Sequence, residues 1–376
     1  MRKVALDLGT RKTAYCEVRD GQVVRREMVT AVHSLELLLG PEQPPAVVAI
    51  EACREAWYVH DLLTSWGNEV VLVDTTRSRR LGIGQHGRKT DRIDAEVLAL
   101  ALERGGIPVA HVLSPHRREL RRWLGVRRAL VESRAQLVTT ARGIAREYGM
   151  PLPRCATERF VSNVRKTQGD SELHAALEPL LKMLETTSTE LEGVEQALAK
   201  LCTTEPVVSL LATAPGVGPV VAASFVSVID EAKRFRSAHH VQSYLGLVPS
   251  EDSSGGKRRL GAISKKGNKY MRALLVQSAW GILRTTDKND PLRMWADAVA
   301  ARRGKPIAVI ALARRLVGVL WAMWSKGNVY DASRLAIANG RGLTQSAQSL
   351  EFQAEALKKA SKKLALKKRP AAEVTL

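Results

Sequence analysis

The chain has 376 residues, of which 45% are hydrophobic and 26% charged, a balance typical of globular proteins with two or three domains. Lysine and arginine outnumber aspartate and glutamate by 58 to 38, and the net charge of +20 favours a polyanionic partner: nucleic acid, a membrane surface or a ribosome. Four widely spaced cysteines, with no Cys-x-x-Cys pair, argue against a zinc ribbon and against a disulfide scaffold. Because Asp7 falls in the first apolar run, and Arg314 and Arg315 interrupt the most apolar late one, we expect a cytoplasmic protein without a membrane segment.

The first 110 residues alternate strand and helix patterns. "KVALDLG" is a short apolar strand, and "AYCEVRDGQVVRREMV" predicts two strands joined at the Asp20-Gly21 turn. Residues 46–52 and 69–74 are apolar runs of buried-strand length with a helical segment between them. "DRIDAEVLALALERGG" predicts a helix that starts at Asp91 and ends at its paired glycines. We therefore expect an α/β fold for this part of the chain.

Residues 115–202 are predicted to be helical. Their clearest feature is a heptad seam with alternating spacings of four and three, in which Thr187 is the only polar member. The seam consists of Leu173, Leu177, Leu180, Leu184, Thr187, Leu191, Val194, Leu198 and Leu201. The same stripe fits an antiparallel helical hairpin or a coiled coil with a second protomer, and both stay open. Pro179 marks a kink or a later helix start.

The third part of the chain is predicted to be all-α. "LLATAPGVGPVVAASFVSVID" reads as two apolar helices joined by a short turn, and two more helices follow a serine-containing loop. A basic tail, poor in aromatic residues, is predicted to be flexible. The expected domains are residues 1–112, 113–202, 203–335 and 336–376.

Four carboxylates have an arrangement typical of metal-dependent phosphoryl transfer. Asp7 closes the first strand, Glu51 ends a later one, and Asp91 and Asp94 lie three apart on one helix and so share a face. Carboxylates from strand ends and an adjacent helix can bridge two divalent metals such as magnesium. Taken singly, each acid also fits a turn, a strand end or an N-cap. Jointly, their order matches a ribonuclease-H-like nuclease core.

Several motifs together resemble a known family. "ALDLGT", "AIEACREAW", "KTDRIDAEVLA", "APGVGPVVA", "YLGLVPSEDSSGGKRRLGAISKKGNKYMRALL" and "GKPIAVIALARRL" occur in the order seen in insertion-sequence family 110. Its members are DEDD-type transposases, also described as bridge-RNA-guided recombinases. The resemblance covers roughly residues 1–330. It implies a RuvC-like, ribonuclease-H-like N-terminal domain, a coiled-coil helical hairpin, and a helical C-terminal domain with a helix-hairpin-helix-like element.

The resemblance also implies a composite active site. Asp7, Glu51, Asp91 and Asp94 would be catalytic ligands of two Mg²⁺ ions, and Ser254 would be the catalytic nucleophile, with Ser253 as its rival. The serine would form a covalent phosphoserine with DNA, and one protomer's metal site would meet another protomer's serine. The implied partners are donor and target DNA, a noncoding guide RNA and further copies of the chain, as a dimer or a tetramer.

The serine chemistry is coherent in its own terms. Covalent attack conserves the phosphodiester bond energy, so the strand can be rejoined without ATP.

The alternative functions are a RuvC-like metal-dependent nuclease or resolvase in which the serine loop only binds DNA, and a non-catalytic nucleic-acid-binding protein. The predicted nucleic-acid contacts are Arg79, Arg80, Arg88, Lys89, Gly216, Gly218, Lys257, Arg258, Arg259, Lys265, Lys266, Lys269 and Arg272. For the two glycines, a plain turn between packed helices is an equal alternative.

Overall fold

A computed structural model describes residues 1–9, 11–29, 32–78, 91–167, 171–251 and 259–338 of the chain. The chain divides into two compact units, Met1–Leu113 and Ser114–Leu376. The first is a mixed α/β unit and the second is helical apart from one short β-hairpin. The predicted α/β part of the chain is thereby confirmed. The following part is predominantly helical as predicted, but the all-α prediction is wrong at the hairpin of residues 249–263, which sequence reasoning missed.

The first unit contains a five-stranded sheet. Its strands are β1 (Arg2–Leu8), β2 (Thr13–Arg19), β3 (Gln22–Val29), β4 (Ala46–Glu51) and β5 (Glu69–Val73), and its helices are α1 (Val32–Leu39), α2 (Ala56–Ser65), α3 (Thr75–Ser78) and α4 (Asp91–Glu103). The strand order is β3-β2-β1-β4-β5. Strand β2 is antiparallel to both of its neighbours, β1 and β3, whereas β4 runs parallel to β1 and to β5. The predicted turn between β2 and β3 is present, with Asp20 and Gly21 both at positive φ.

The two faces of the sheet carry different side chains. On one face, large apolar residues such as Leu6 and Ile50 pack against α1 and α2. On the other face, Ala5 and Ala49 belong to the same buried cluster as Leu98 of α4. Small side chains let a helix approach a sheet closely, because little volume separates the two backbones. The alanine face therefore determines how near α4 lies to the strands.

A buried ion pair ties the start of the sheet together. The Arg2 guanidinium donates to the Glu17 carboxylate at 3.1 and 2.9 Å and to the Tyr15 hydroxyl at 2.8 Å. It also donates to the backbone carbonyls of Leu38 and Pro44. The hydrogen bond from Arg2 lowers the pKa of Glu17, and burial together with the Glu17 hydrogen bond raises the pKa of Tyr15. The pair joins β1 to β2 and to the segment before β4.

The second unit is built from helices α5 (Pro115–Glu147), α6 (Phe160–Lys166), α7 (Ser171–Thr203), α8 (Pro206–Leu211), α9 (Pro219–Ile229), α10 (Ala238–Tyr244), α11 (Lys269–Thr285), α12 (Pro291–Arg303), α13 (Lys305–Lys326) and α14 (Ala332–Ala338). Strands β6 (Pro249–Glu251) and β7 (Leu260–Ile263) form an antiparallel hairpin between α10 and α11. Sequence reasoning missed α10 and α12. In α9, every side chain from Ala222 to Ile229 is buried, which makes it a central core helix.

The two long helices α5 and α7 run in opposite directions within one chain. Val138 and Ala145, late in α5, share a buried cluster with Leu177, early in α7. Leu120, early in α5, shares another with Leu198, late in α7. The stripe that α7 presents is therefore covered in part by α5 of the same chain.

Two positions of the predicted heptad seam lie at its margin. Leu180 and Leu201 are partly buried and pack against the core, whereas the neighbouring Leu181 and Cys202 are the fully buried residues. A straight helix repeats every 3.6 residues, so a strict seven-residue spacing drifts off the buried face. Thr187 is buried as predicted, and its hydroxyl donates to the Met183 carbonyl at 2.6 Å. Of the two alternatives for Pro179, the later helix start is excluded because α7 begins at Ser171 and Pro179 lies inside it, and the kink stays a prediction.

Helix α13 is long and apolar enough to cross a membrane by length and composition alone. A core helix of a soluble protein passes the same test, and one side of α13 is buried among the helices of the second unit. Its buried residues are Ala308, Val309, Leu312, Ala313, Leu316, Val317, Leu320 and Met323. The helix is accounted for by this packing.

We expect Arg2→Met to lower the free energy of unfolding of the first unit by about 3 kcal/mol, because it removes the hydrogen-bonded cation of the buried Glu17 carboxylate and leaves only the exposed Arg19 at 4.0 Å. The matched control is Arg25→Met, since Arg25 pairs with Glu27 at 2.5 Å on the exposed surface. That control should change stability by less than about 1 kcal/mol. Chemical denaturation followed by circular dichroism measures both variants.

The loss of stability in Arg2→Met should depend on pH. Pairing lowers the Glu17 pKa in the folded state, so its stabilisation is present above the pKa of the unfolded carboxyl, about 4.3. The stabilisation is lost as the pH falls through the lower, folded-state pKa. The stability difference between wild type and Arg2→Met should therefore shrink in acid, and a pH-independent difference would contradict the assignment.

Candidate active site

Two of the predicted metal ligands lie side by side at one edge of the sheet. The parallel register of β1 and β4 pairs Leu6 with Ile50, and the next residues along the two strands are Asp7 and Glu51. Neighbouring strands are about 4.8 Å apart. Both carboxylates are half-buried. The carboxyl ends of the two central parallel strands thus bring two acids together from positions 44 residues apart in the sequence.

Both acids lie on the face of the sheet that α4 covers. Side chains along a strand alternate between faces, so Asp7 shares a face with Ala5, and Glu51 shares a face with Ala49. These two alanines are buried against α4. The carboxylates therefore extend the α4 side of the sheet at its edge.

The direction of α4 brings its first turn toward the same edge. Near the end of the helix, the Glu103 carboxylate accepts a hydrogen bond from the Gly21 backbone N–H at 2.8 Å. Gly21 belongs to the turn between β2 and β3, which lies at the opposite edge of the sheet, where β1 begins. Arg26 of β3 pairs with Glu96 in the middle of the helix at 2.5 Å. Helix α4 is thus antiparallel to β1. Asp94, in its first turns, is 5% exposed.

The described residues do not assemble the complete predicted metal site. In the ranges that the structure describes, no group of three or more histidine, cysteine, aspartate or glutamate side chains is arranged to hold a metal ion. Asp91 begins α4, but its side chain is outside the described part. Asp7 and Glu51 share one face and one edge of the sheet, and carboxylate oxygens are the donors that a hard divalent cation prefers. The chemistry of these residues fits such an ion, whereas Asp7, Glu51 and Asp94 are not arranged as a three-ligand group within the described residues.

The predicted nucleophile lies in the segment between β6 and β7. Ser253, Ser254, Lys257 and Arg258 are outside the described residues. The hairpin on either side is described: Glu251 pairs with Leu260, and the Ser250 hydroxyl donates to the Ala262 carbonyl at 3.0 Å. The two ends of the serine segment are therefore held side by side, and Arg259 at its far end is exposed.

The predicted basic contacts fall into two groups. Arg79, Arg80, Arg88 and Lys89 are outside the described residues. Lys265, Lys266 and Lys269 are exposed and precede or begin α11. Arg272 differs from them, because it is partly buried and donates to the Leu245 carbonyl at 3.2 Å. Burial lowers the pKa of its guanidinium, so Arg272 supports the local fold as well as adding charge.

The two glycines of the turn between α8 and α9 differ in their surroundings. Gly216 has φ +68°, and a Cβ there would lie 2.7 Å from the Ser278 carbonyl oxygen of α11. Gly218 is the N-cap residue of α9, has φ −90°, and has open space where a Cβ would be. Gly216 is therefore required by packing, which supports the turn interpretation for that residue. Packing does not require glycine at position 218, and its predicted contact with a phosphate stays a prediction.

An aromatic pair beside the basic turn was missed by sequence reasoning. Tyr244 is 44% exposed, its ring contacts Phe235, and Arg234 lies over both rings. The Tyr244 backbone is packed against Gly267, next to Lys266. More than twenty residues separate Tyr244 from Lys266 in the sequence, so no local pattern could have joined them.

The chain combines a mixed sheet that carries carboxylates at one edge with a basic helical unit. This combination suits an enzyme that acts on the phosphodiester bonds of nucleic acid. Comparisons define the class more closely as transposases, which cut and rejoin DNA. Residues 4–150 match the DEDD-type model for IS110, described as "Transposase", and residues 208–292 match the model of the "Transposase IS116/IS110/IS902 family". The chain belongs to this family.

Individual relatives extend over most of the chain. A probable family 20 transposase of Pseudomonas aeruginosa is 30% identical over 298 residues, which is 76% of this chain and 86% of the relative. The transposase for insertion sequence element IS1328 of Yersinia enterocolitica is 26% identical, covering 87% of this chain and 98% of the relative. The transposase for IS1111A of Coxiella burnetii is 28% identical, covering 82% of this chain and 84% of the relative.

The two glycines of the α8–α9 turn can be separated experimentally. We expect Gly216→Ala to destabilise the second unit by about 3 kcal/mol, because it combines a strained φ with a clash against α11. We expect Gly218→Ala to change stability by less than about 1 kcal/mol and to weaken DNA binding. Thermal unfolding and a DNA mobility-shift titration measure the two effects. Wild-type stability in Gly216→Ala, or wild-type DNA affinity in Gly218→Ala, would contradict the respective role.

Proposed function

We propose that this insertion-sequence transposase cuts and rejoins DNA through a covalent phosphoserine, with Ser254 as nucleophile and Asp7, Glu51, Asp91 and Asp94 as ligands of divalent metal, two Mg²⁺ ions in the full site. The observation that carries the proposal is the common edge of β1 and β4, where two carboxylates meet under the first turns of α4. The strand order and the parallel central pair support a ribonuclease-H-like, RuvC-like domain.

The serine step conserves the number of phosphodiester bonds. The Ser254 Oγ–P bond forms while one P–O bond of the DNA strand breaks, and the serine proton ends on the leaving deoxyribose oxygen. In the reverse step, the hydroxyl of a new strand end attacks the phosphorus and Ser254 regains its proton. A serine hydroxyl is a weak nucleophile and needs activation. Bound metal would supply that activation and stabilise charge on the phosphate oxygens.

The chain's own residues contribute position and charge. The β6–β7 hairpin holds the two residues that flank the serine segment, Glu251 and Arg259, close together in space, which restricts where the reacting hydroxyl can lie. Arg259 at the end of that segment, and Lys265 and Lys266 beyond β7, can bind the flanking phosphates. Asp94 is 5% exposed, and burial restricts the conformations that its side chain can adopt.

Two partners belong to the proposal through the family resemblance. A noncoding bridge RNA would pair with donor and target DNA, so that base pairing and not the protein selects the sites. Further copies of the chain would complete the reaction. The high net positive charge supports a role in which one protein binds several nucleic-acid strands at once.

Trapping on denaturing gels tests the serine step. Purified protein, the RNA of the flanking element, labelled DNA and Mg²⁺ should yield DNA covalently attached to wild-type protein. We expect the adduct to disappear in Ser254→Ala and in Asp94→Asn. It should persist in Ser253→Ala and in Glu96→Gln, a control on the same helix whose carboxylate pairs with Arg26.

The remaining outcomes discriminate between mechanisms. Free cleaved ends with no adduct in any lane would indicate a metal-dependent nuclease or resolvase, in which the serine segment only binds DNA. An adduct lost in Ser253→Ala but kept in Ser254→Ala would move the nucleophile by one residue. DNA cleavage that continues after divalent metal is removed by a chelator would contradict the proposed metal-dependent mechanism.

Metal binding has a readout that does not require cleavage. We expect Mg²⁺ or Mn²⁺ to raise the melting temperature of the wild-type protein, because an ion that binds only the folded state stabilises it by about 2.7 kcal/mol at a hundredfold excess over Kd. The shift should be strongly reduced in Asp94→Asn and unchanged in Glu96→Gln. Equal shifts in all three proteins would place the ion elsewhere.

A further inference from the structure

Around Tyr244, the second unit has a surface that combines an exposed aromatic ring with fixed positive charge. We call Arg234, Phe235, Tyr244, Lys265 and Lys266 the Tyr244 surface. The Tyr244 and Phe235 rings meet edge to face, with centroids 5.3 Å apart. The Arg234 guanidinium lies 5.7 Å from the Tyr244 centroid and 5.2 Å from that of Phe235. Its Nη1 also donates to the Ile229 carbonyl at 2.6 Å, which holds the guanidinium in place.

The backbone fixes the lysines beside this ring. A Cβ on Gly246 would lie 2.1 Å from the Lys266 carbonyl oxygen, and a Cβ on Gly267 would lie 2.2 Å from the Tyr244 carbonyl oxygen. The Lys265 N–H donates to the Gly246 carbonyl at 3.1 Å. The turn after α10 and the turn before α11 are therefore in direct backbone contact, and they can be so close only because glycine stands on each side.

The charge around the surface is predominantly positive. Residues 232–246 and 259–275 contain eight lysines and arginines and no aspartate or glutamate, and the exposed acids Glu231 and Glu251 lie at the margins of these segments. A basic surface with an exposed aromatic ring combines the two features that bind single-stranded nucleic acid: charge for the phosphates and a π-face for an unpaired base.

We propose that the Tyr244 surface binds a single-stranded nucleic-acid segment, with an unpaired base stacked on Tyr244 and its flanking phosphates on Lys265 and Lys266. The inference rests on the proposed function, in which strands are opened and exchanged. The fixed positions of Arg234 and Phe235 order the ring before binding and so reduce the entropy lost on binding. A base inside a duplex offers no free face to the ring, so the surface selects unpaired strands.

The surface adjoins the predicted nucleophile through the β6–β7 hairpin. Strand β7 ends at Ile263, and the basic turn begins two residues later at Lys265. The Ser264 N–H donates to the Val248 carbonyl at 2.8 Å, which attaches this turn to the chain entering β6. A strand held on Tyr244 would therefore lie beside the hairpin that carries the serine segment.

Fluorescence anisotropy on the full chain tests the proposal without any cleavage. The probes are labelled single strands of about 12 nucleotides, one of DNA and one of RNA, and a DNA duplex of the same sequence. We expect Tyr244→Ala to weaken single-strand binding about tenfold, the effect of losing one base stack, and to leave duplex binding unchanged. Tyr244→Phe keeps the ring and should bind as wild type does.

Matched variants control for exposure and for charge. Tyr148 is 43% exposed and lies at the end of α5, so Tyr148→Ala removes an equally exposed ring and should leave affinity unchanged. Lys266→Ala should reduce the slope of log K against log salt by about 0.7 for one lost phosphate contact, whereas Lys182→Ala on exposed α7 surface should not. Circular dichroism melting shows that each variant is folded.

The outcomes separate this proposal from the cleavage mechanism. If Tyr244→Ala lowers affinity tenfold for the DNA strand alone, transposon or target DNA is the occupant of the surface. If it lowers affinity for the RNA strand alone, the occupant is a guide RNA. Equal affinities for wild type and a folded Tyr244→Ala, or an equal loss on duplex, would overturn the proposal. Because anisotropy needs neither serine nor metal, failure of the phosphoserine chemistry would leave these results unchanged.

Discussion

The parallel pairing of β1 with β4 is the constraint on which the rest of the first unit depends. It puts the ends of two strands at one edge, and it aligns two rows of side chains so that alanines face α4 while larger residues face α1 and α2. A slip of one residue would exchange these faces. It would drive bulky side chains against α4 and turn the edge carboxylates to the other side of the sheet. The same register therefore specifies both the packing and the placement of the acids.

Much of this unit could be predicted because its signals are local. Continuous apolar runs with turn residues at their ends marked the strands, and the Asp-x-x-Asp spacing placed two acids on one helical face. The neighbourhood of Asp7 and Glu51 could be anticipated only through the resemblance to a family. Strand order depends on contacts between segments far apart in the chain, and no periodicity within one segment encodes it.

In the second unit, the exact buried positions and the long-range contacts could not be predicted from the sequence. The heptad spacing located the buried stripe of α7, yet it gave the partly buried Leu180 and Leu201 where the helix fully buries Leu181 and Cys202, since a regular helix does not follow a seven-residue repeat. The basic residues before α11 were recognisable as a charged group. Their proximity to Tyr244 was not, because it arises from the backbone contact between Gly246 and Lys266. A glycine in a sequence does not indicate which backbone will approach it.

The central position of β1 has a consequence for how the protein is made. Its antiparallel neighbour β2 follows within five residues, but its parallel neighbour β4 begins 38 residues after β1 ends. During synthesis, the β1–β2–β3 meander can pair as soon as it leaves the ribosome, with the side of β1 that faces away from β2 still unpaired. That open edge is closed only when β4 emerges, and β5 and α4 come later still. Between these events the nascent chain needs protection from pairing with other strands, so its translation and its risk of aggregation are coupled.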